Sequence, residues 1–203
     1  MPIETVEELH EHLRLAIEVE LTTIPPYLYA MYSIAEPSSE AAKLILSVAA
    51  EEMLHASLMA NLLLAVGGEP HFDQPGVVPS YPCNLPHHVP DLPLSLEPCS
   101  EDVVRRSFLT IEAPGDPGAP SQPDRWESQG QFYHALEEAL RRLDSTDPEL
   151  FAEPCAERQF HDLDGYLLVK FDDEASGGLQ VVRDLEGAIA ATEVAIHQGE
   201  GVR

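Results

Sequence analysis

Apolar residues recur at helical spacing from the start of the chain. Leu9, Leu13, Ala16, Ile17, Ile24 and Leu28 share one face of a segment running from Val6 to about Ile34. Thr5 stands where an N-cap belongs and Glu8 follows three residues later, the spacing of a capping box. Pro25 and Pro26 interrupt the stripe. Each removes a backbone donor and crowds the preceding turn, so a kink or bulge is expected one turn beyond Glu20. After the Glu36-Pro37-Ser38-Ser39 break, Glu40 to Val66 is apolar nearly all round and is closed by Gly67-Gly68, which predicts a buried second helix.

The texture then changes. Twelve of the 18 prolines lie between Pro70 and Pro123 among short apolar runs, and only Asp102 to Ile111 looks regular enough to be helical. Phe132, Leu136, Ala139, Leu140 and Leu143 predict a third helix over Gln131 to Leu143, stopped by Asp144-Ser145-Thr146-Asp147-Pro148. Gly165 to Phe171 reads as a short strand or an extended connector. Leu179 to about His197 then repeats apolar residues as a fourth helix. The economical summary is a mainly α chain, one domain over 1–203, built as an antiparallel four-helix bundle with a proline-rich irregular insertion over 70–123.

Charge narrows the partners. The chain holds 36 Asp and Glu against 11 Lys and Arg, a formal charge of -25, so nucleic-acid phosphates and anionic membranes would be repelled. Small molecules and metal cations are the better partners, and a homo-oligomer is expected. Cys83, Cys99 and Cys155 are odd in number and lack Cys-x-x-Cys spacing, which speaks against a disulfide framework or a zinc ribbon and favours a reducing cytoplasm. Met1-Pro2-Ile3-Glu4-Thr5 begins acidic and polar, unlike an export signal, and no run has the length and purity of a membrane span.

The chemistry concentrates on two helices. In Glu51-Glu52-Met53-Leu54-His55, Glu52 and His55 are three apart on a helix and project from one face, and carboxylate with imidazole suits a transition metal. They lie on an apolar row, where an uncompensated carboxylate costs on the order of 2–7 kcal/mol and a bound cation would remove the penalty. Pairing of Glu52 with an arginine, or a core hydrogen bond from His55, are the plainer alternatives. Glu20 repeats the problem on the stripe of the first helix. Glu193, His197 and Glu200 share a face of the last helix and either close the site or fray into solvent. Glu112, at the end of a regular run and before Pro114, is a ligand, a supporting acid or a cap. His87-His88 and His161 read as loop residues outside the site. Hydrolase elbows and phosphate-binding glycine loops are absent from the sequence.

Four stretches carry a resemblance. Glu20-Leu21-Thr22-Thr23-Ile24-Pro25-Pro26-Tyr27-Leu28, Glu51-Glu52-Met53-Leu54-His55, Phe108-Leu109-Thr110-Ile111-Glu112-Ala113-Pro114 and Gln198-Gly199-Glu200-Gly201 resemble the ferritin-like family that includes the metal-binding domain of iminophenylpyruvate dimer synthases, enzymes of violacein and rebeccamycin pathways. The resemblance implies a four-helix core with mono- or dinuclear non-haem iron or another divalent transition metal. It also implies Glu20, Glu52 and His55 as ligands, Glu200 in an acidic Gly-Glu-Gly element, and Glu112 as a recurrent family acid. His197 and Gln131 depart from it, standing where the family tends to carry acids, and His197 would substitute as a ligand. The family pattern also continues past Gly-Glu-Gly, beyond Arg203, into a helical segment with a Ser-His-Phe-like element, so a truncated site or one completed by another subunit stays open.

The leading functional expectation is an oxidoreductase in which iron activates dioxygen or peroxide toward a small organic substrate, amino-acid-derived ones included, with the proline-rich excursion, Tyr81 and Trp126 nearby, as the cover of a substrate cavity. The alternatives are iron sequestration without turnover and a structural subunit of a biosynthetic assembly.

Overall fold

A computed structural model describes residues 2–113, 119–161 and 178–199. The expected connector at Gly165–Phe171 and the candidate ligand Glu200 lie outside these residues. Helix α1 spans Val6–Tyr32. Its start is the expected capping box: Thr5 Oγ1 accepts from the Glu8 N–H, and the Glu8 carboxylate accepts from the Thr5 N–H.

As the stripe predicts, α1 is one helix, and it runs on through Pro25 and Pro26. The physical reason is substitution of the lost donors. Pro26 cannot donate to the Thr22 carbonyl, and Tyr81 Oη, reaching in from the proline-rich excursion, donates to it at 2.7 Å instead. The Thr22 hydroxyl braces the same turns by donating to the carbonyl of Glu18.

Helix α2 spans Glu40–Ala65 and begins at Ser39, whose hydroxyl accepts from Ala42 N–H. It ends in a Schellman arrangement: Gly68 N–H donates to Leu63 O and Gly67 N–H to Leu64 O, with Gly67 at φ 79°. Beyond it, Cys83–Asn84 (β1) pairs antiparallel with Pro93–Leu94 (β2). The expected regular run is real but composite. Glu101–Val103 (α3) leads into a π-helical turn at Val104–Phe108 and then Leu109–Ile111 (α4). Helix α5 spans Gln129–Thr146, and α6 spans Leu185–Gly199, starting later than its apolar pattern suggested because 178–183 is not helical. Two amide side chains pin that piece. Gln159 bonds both the N–H and the carbonyl of Val182, and Asn61 donates to the carbonyls of Phe160 and Gln180.

Cross-helix contacts give the directions. His10 meets Val66 O while Thr23 meets Glu52, so α1 and α2 are antiparallel. Tyr133 meets Glu20 while Arg142 meets Ile3, so α5 is antiparallel to α1. Gln198 meets His55 while Gln180 meets Asn61, so α6 is antiparallel to α2. Helices α2 and α5 therefore point the same way, and the chain between them must climb back along the bundle. It does so beside α1, touching Thr22 through Tyr81, Ser33 through Cys99 and Tyr27 through Phe108 and Glu112. The core between the four long helices is dominated by Leu9, Leu13, Leu54, Leu58, Leu62, Phe132, Leu136 and Leu140, all essentially inaccessible. Among the described residues, no helix is long and apolar enough to cross a membrane.

Candidate metal centre

Within that core α1 places Glu20, and α2 places Glu52 and His55, all at 2% exposure or less. The i, i+3 spacing on α2 points Glu52 and His55 the same way, and the antiparallel pairing with α1 brings Glu20 to the same level. His55 Nδ1 lies 3.7 Å from Glu20 Oε2 and 4.0 Å from Glu52 Oε1. Among the described residues these three form the group whose donor atoms, one per residue, all lie within 4.8 Å of one another.

The surroundings are hydroxyls and an amide, and among the described residues no arginine or lysine enters the cluster's hydrogen bonds. Thr23 Oγ1 donates to Glu52 Oε2 at 2.5 Å, and Tyr133 Oη donates to Glu20 Oε1. His55 Nε2 donates to Gln198 Oε1 at 2.8 Å, which leaves Nδ1 on the side of the carboxylates. Glu112 comes just after the π turn, partly buried, and accepts from Tyr27 Oη at 2.5 Å. A π turn offsets the helical register of the residues after it, and such turns recur beside functional sites.

The electrostatics reflect crowding of acids in a dry place. Burial first, then the charges of Glu20 and Glu112, push the Glu52 carboxyl well above the usual carboxylate range. Burial likewise pushes Glu112 up to about 7, against the Tyr27 hydrogen bond and the His55 charge. For His55, burial works against the imidazolium, but the Glu20 carboxylate and the Gln198 amide outweigh it and leave the ring above its ordinary value. The Tyr27 and Tyr133 phenols are driven up, mainly by burial and by the neighbouring carboxylates.

Among the described residues, one oxygen of the cluster has no hydrogen-bond partner: Glu20 Oε2 is buried and unbonded. A 3.7 Å approach to His55 Nδ1 is too long for a hydrogen bond. Donor atoms each about 2.0–2.2 Å from a single first-row cation stand roughly 3–4 Å apart, which is the spacing found between His55 Nδ1 and the two carboxylates. Two carboxylate oxygens and one imidazole nitrogen also suit a divalent transition metal better than a hard alkaline-earth ion. The residues present therefore fit a metal.

The other candidates separate. His197 and Glu193 are exposed on α6, with His197 Nδ1 turned back to the Glu193 carbonyl, outside the buried cluster. The inward stripe of α6 runs Ala188, Ala191, Ala195, Gln198, and one step of 100° separates Gln198 from His197. Gln131 is spent on the start of α5, its Oε1 accepting from Glu127 N–H and its amide donating to Pro120 O. His88 is buried and bonded to Pro90 O, and His87 stacks on Trp126, so both hold the excursion in place and only His87 is near solvent. Trp126 itself is fully buried and stacks on Phe132. Thr23, Tyr27, Tyr133 and Gln198 were not anticipated from sequence. The available signal was a polar residue at a core position of a helix already assigned.

The chain is similar to known proteins. Over 230 aligned positions the chain is 28% identical to 2-imino-3-(indol-3-yl)propanoate dimerase of Chromobacterium violaceum, covering 98% of this chain but only 21% of that protein. It superposes on the crystal structure of a ferritin-like protein from Caulobacter vibrioides with a TM-score of 0.72 and 26% identity, covering 99% of this chain and 69% of the other. The profile of the Ferritin-like family matches residues 13–203. With the bundle directions and the buried Glu-Glu-His cluster already in hand, that match places this chain in the Ferritin-like family.

Proposed function

We propose that the chain is a metal-dependent oxidoreductase, with non-haem iron held by Glu20, Glu52 and His55, that acts on a small amino-acid-derived substrate. The observation that carries this reading is the fully buried, unpartnered Glu20 Oε2 facing His55 Nδ1 and Glu52. An orphaned carboxylate oxygen beside a second carboxylate is costly in an apolar core unless a cation completes it. Iron held there would supply one-electron redox chemistry toward dioxygen or peroxide.

The protein's own groups supply the rest. Tyr133, Thr23 and Gln198 orient the three ligands, and the buried leucine-rich walls exclude water. Glu112, titrating near neutrality at the partly exposed edge of the cluster, is suited to hold and release a proton through its Oε1 contact with Tyr27. The name of the Chromobacterium relative specifies an indolic imine of an amino acid, and this supports the substrate class. The chain spans about a fifth of that protein, so the dimerisation named there belongs to the longer molecule.

The deciding experiment measures iron per chain and then follows anaerobic ferrous titration, oxygen or peroxide addition, and conversion of amino-acid-derived imines. Iron that binds and then oxidises an organic substrate supports the proposal. Iron uptake without organic oxidation would assign sequestration instead, a reading favoured by the net charge of -25. Failure to bind any metal would leave a structural bundle.

A further inference from the structure

Each of the three clustered side chains has two atoms able to bind a metal, and in each the protein already occupies one. Tyr133 Oη donates to Glu20 Oε1, Thr23 Oγ1 donates to Glu52 Oε2 at 2.5 Å, and His55 Nε2 donates to Gln198 Oε1 at 2.8 Å. The atoms left over are Glu20 Oε2, Glu52 Oε1 and His55 Nδ1. Those are the ones that face one another, at 3.7 Å and 4.0 Å from the imidazole nitrogen. Glu20 Oε2 is buried without a hydrogen-bond partner, so an acceptor is already stripped of water and aimed at that point.

We propose that the centre takes a single divalent transition-metal ion per chain, bound by one atom from each of Glu20, Glu52 and His55. In this arrangement Tyr133, Thr23 and Gln198 are positioning residues that hold the second atom of each ligand away from the metal. The inference rests on the metal reading above and deepens it by assigning nuclearity and coordination mode.

A two-metal carboxylate centre makes different demands. It needs bridging carboxylates that offer both oxygens, and an inward Glu-x-x-His from each of two helices. Here both carboxylates have one oxygen tied to a buried hydroxyl. Breaking a hydrogen bond to a charged, buried acceptor is costly because no water replaces the donor. Among the described residues, the inward Glu-x-x-His occurs once, on α2. Helix α6 turns Gln198 inward at the level of His55 and leaves His197 outside. Glu112 is engaged by Tyr27 and does not join the three-residue cluster.

The test uses the full chain and cobalt(II), with bound metal counted after anaerobic equilibrium dialysis. Optical and X-ray absorption spectra then report the coordination shell. One cobalt per chain and no metal–metal scattering are expected. Tyr133→Phe, Thr23→Val and Gln198→Leu should each weaken cobalt binding by about 10- to 100-fold and change the visible spectrum, while the metal-free proteins keep the wild-type circular dichroism. Thr23→Ser, which retains the hydroxyl, should keep the wild-type spectrum. Two cobalt ions per chain with a metal–metal vector would overturn the single-ion assignment. Wild-type affinity and spectrum in all three variants, or a Thr23→Ser protein that behaves like Thr23→Val, would overturn the positioning roles. A wild-type chain that binds no cobalt would sink the metal reading itself, an outcome distinct from either.

Discussion

Replacing Glu20 by glutamine should stabilise the metal-free protein while abolishing its response to metal. Glu20 is fully buried, its Oε2 has no partner, and Glu52, also buried, stands beside it. A buried polar group left unpaired costs about 1–3 kcal/mol, and more when it carries charge. The amide keeps an oxygen to accept from Tyr133 and puts an NH2 group where Oε2 was. That group can donate toward Glu52 or His55 Nδ1. The metal-free variant should therefore be more stable by about 1–3 kcal/mol, and for a chain of this size each kcal/mol moves Tm by roughly 2–4 °C. Metal reverses the order. At about 100 times the dissociation constant, a bound ion adds about 2.7 kcal/mol to the wild type, whereas the variant lacks one of three ligands and gains little. The assay is anaerobic thermal denaturation of both proteins with and without ferrous or cobaltous ion. A metal-free variant less stable than wild type, combined with equal metal-induced shifts in the two proteins, would refute the reasoning and make the cluster an internal polar network.

Stability and metal affinity should depend on pH in opposite senses. Glu52, Glu112 and His55 all titrate above their ordinary values in the fold, so these three groups hold more protons in the metal-free native state than in the unfolded chain. Their contribution to stability should fall as pH rises, the Glu112 share being lost between 4.5 and about 7. Because a metal displaces those protons, cobalt affinity should rise over the same interval, measurable by titration at several pH values. Tyr81→Phe removes the donor that replaces the Pro26 N–H at the Thr22 carbonyl and should cost about 1–3 kcal/mol in urea unfolding; an unchanged midpoint would mean that water takes its place. Gly68→Ala would set a methyl well inside contact distance of Leu63 Cδ1, and since Leu63 is fully buried the overpacking should cost about 1–3 kcal/mol by the same measurement. His197→Ala, at an exposed position, should leave cobalt stoichiometry and affinity unchanged in equilibrium dialysis, and a loss of binding would return His197 to the site.

Particular residues show where sequence reasoning reached and where it stopped. The Thr5 and Glu8 capping box, the Gly67-Gly68 stop and the apolar stripes of α1, α2 and α5 are local, encoded within one or two turns, and were legible. So was the juxtaposition of Glu52 and His55, because i, i+3 spacing is a property of any helix. The extent of α1 through Pro25 and Pro26 was legible from its stripe, but the donor that serves the Thr22 carbonyl there, Tyr81, 59 positions away, was not. Nor was it legible that the residue of α6 facing His55 is Gln198, one position from His197. Its own helix offers several faces, and the choice among them depends on how α6 rolls against α2.

By itself, then, the sequence determined which segments are helices, how they are capped, and which of them carry acids that their apolar faces cannot tolerate alone, because each of these is a short-range property of one helix. Tertiary structure decided which half of each clustered side chain is free. The partners of Glu20, Glu52 and His55 are Tyr133, Thr23 and Gln198, brought from α5, α1 and α6 to one level of the bundle by helix directions and register. Those depend on the packing of the whole core, and no local spacing rule encodes them.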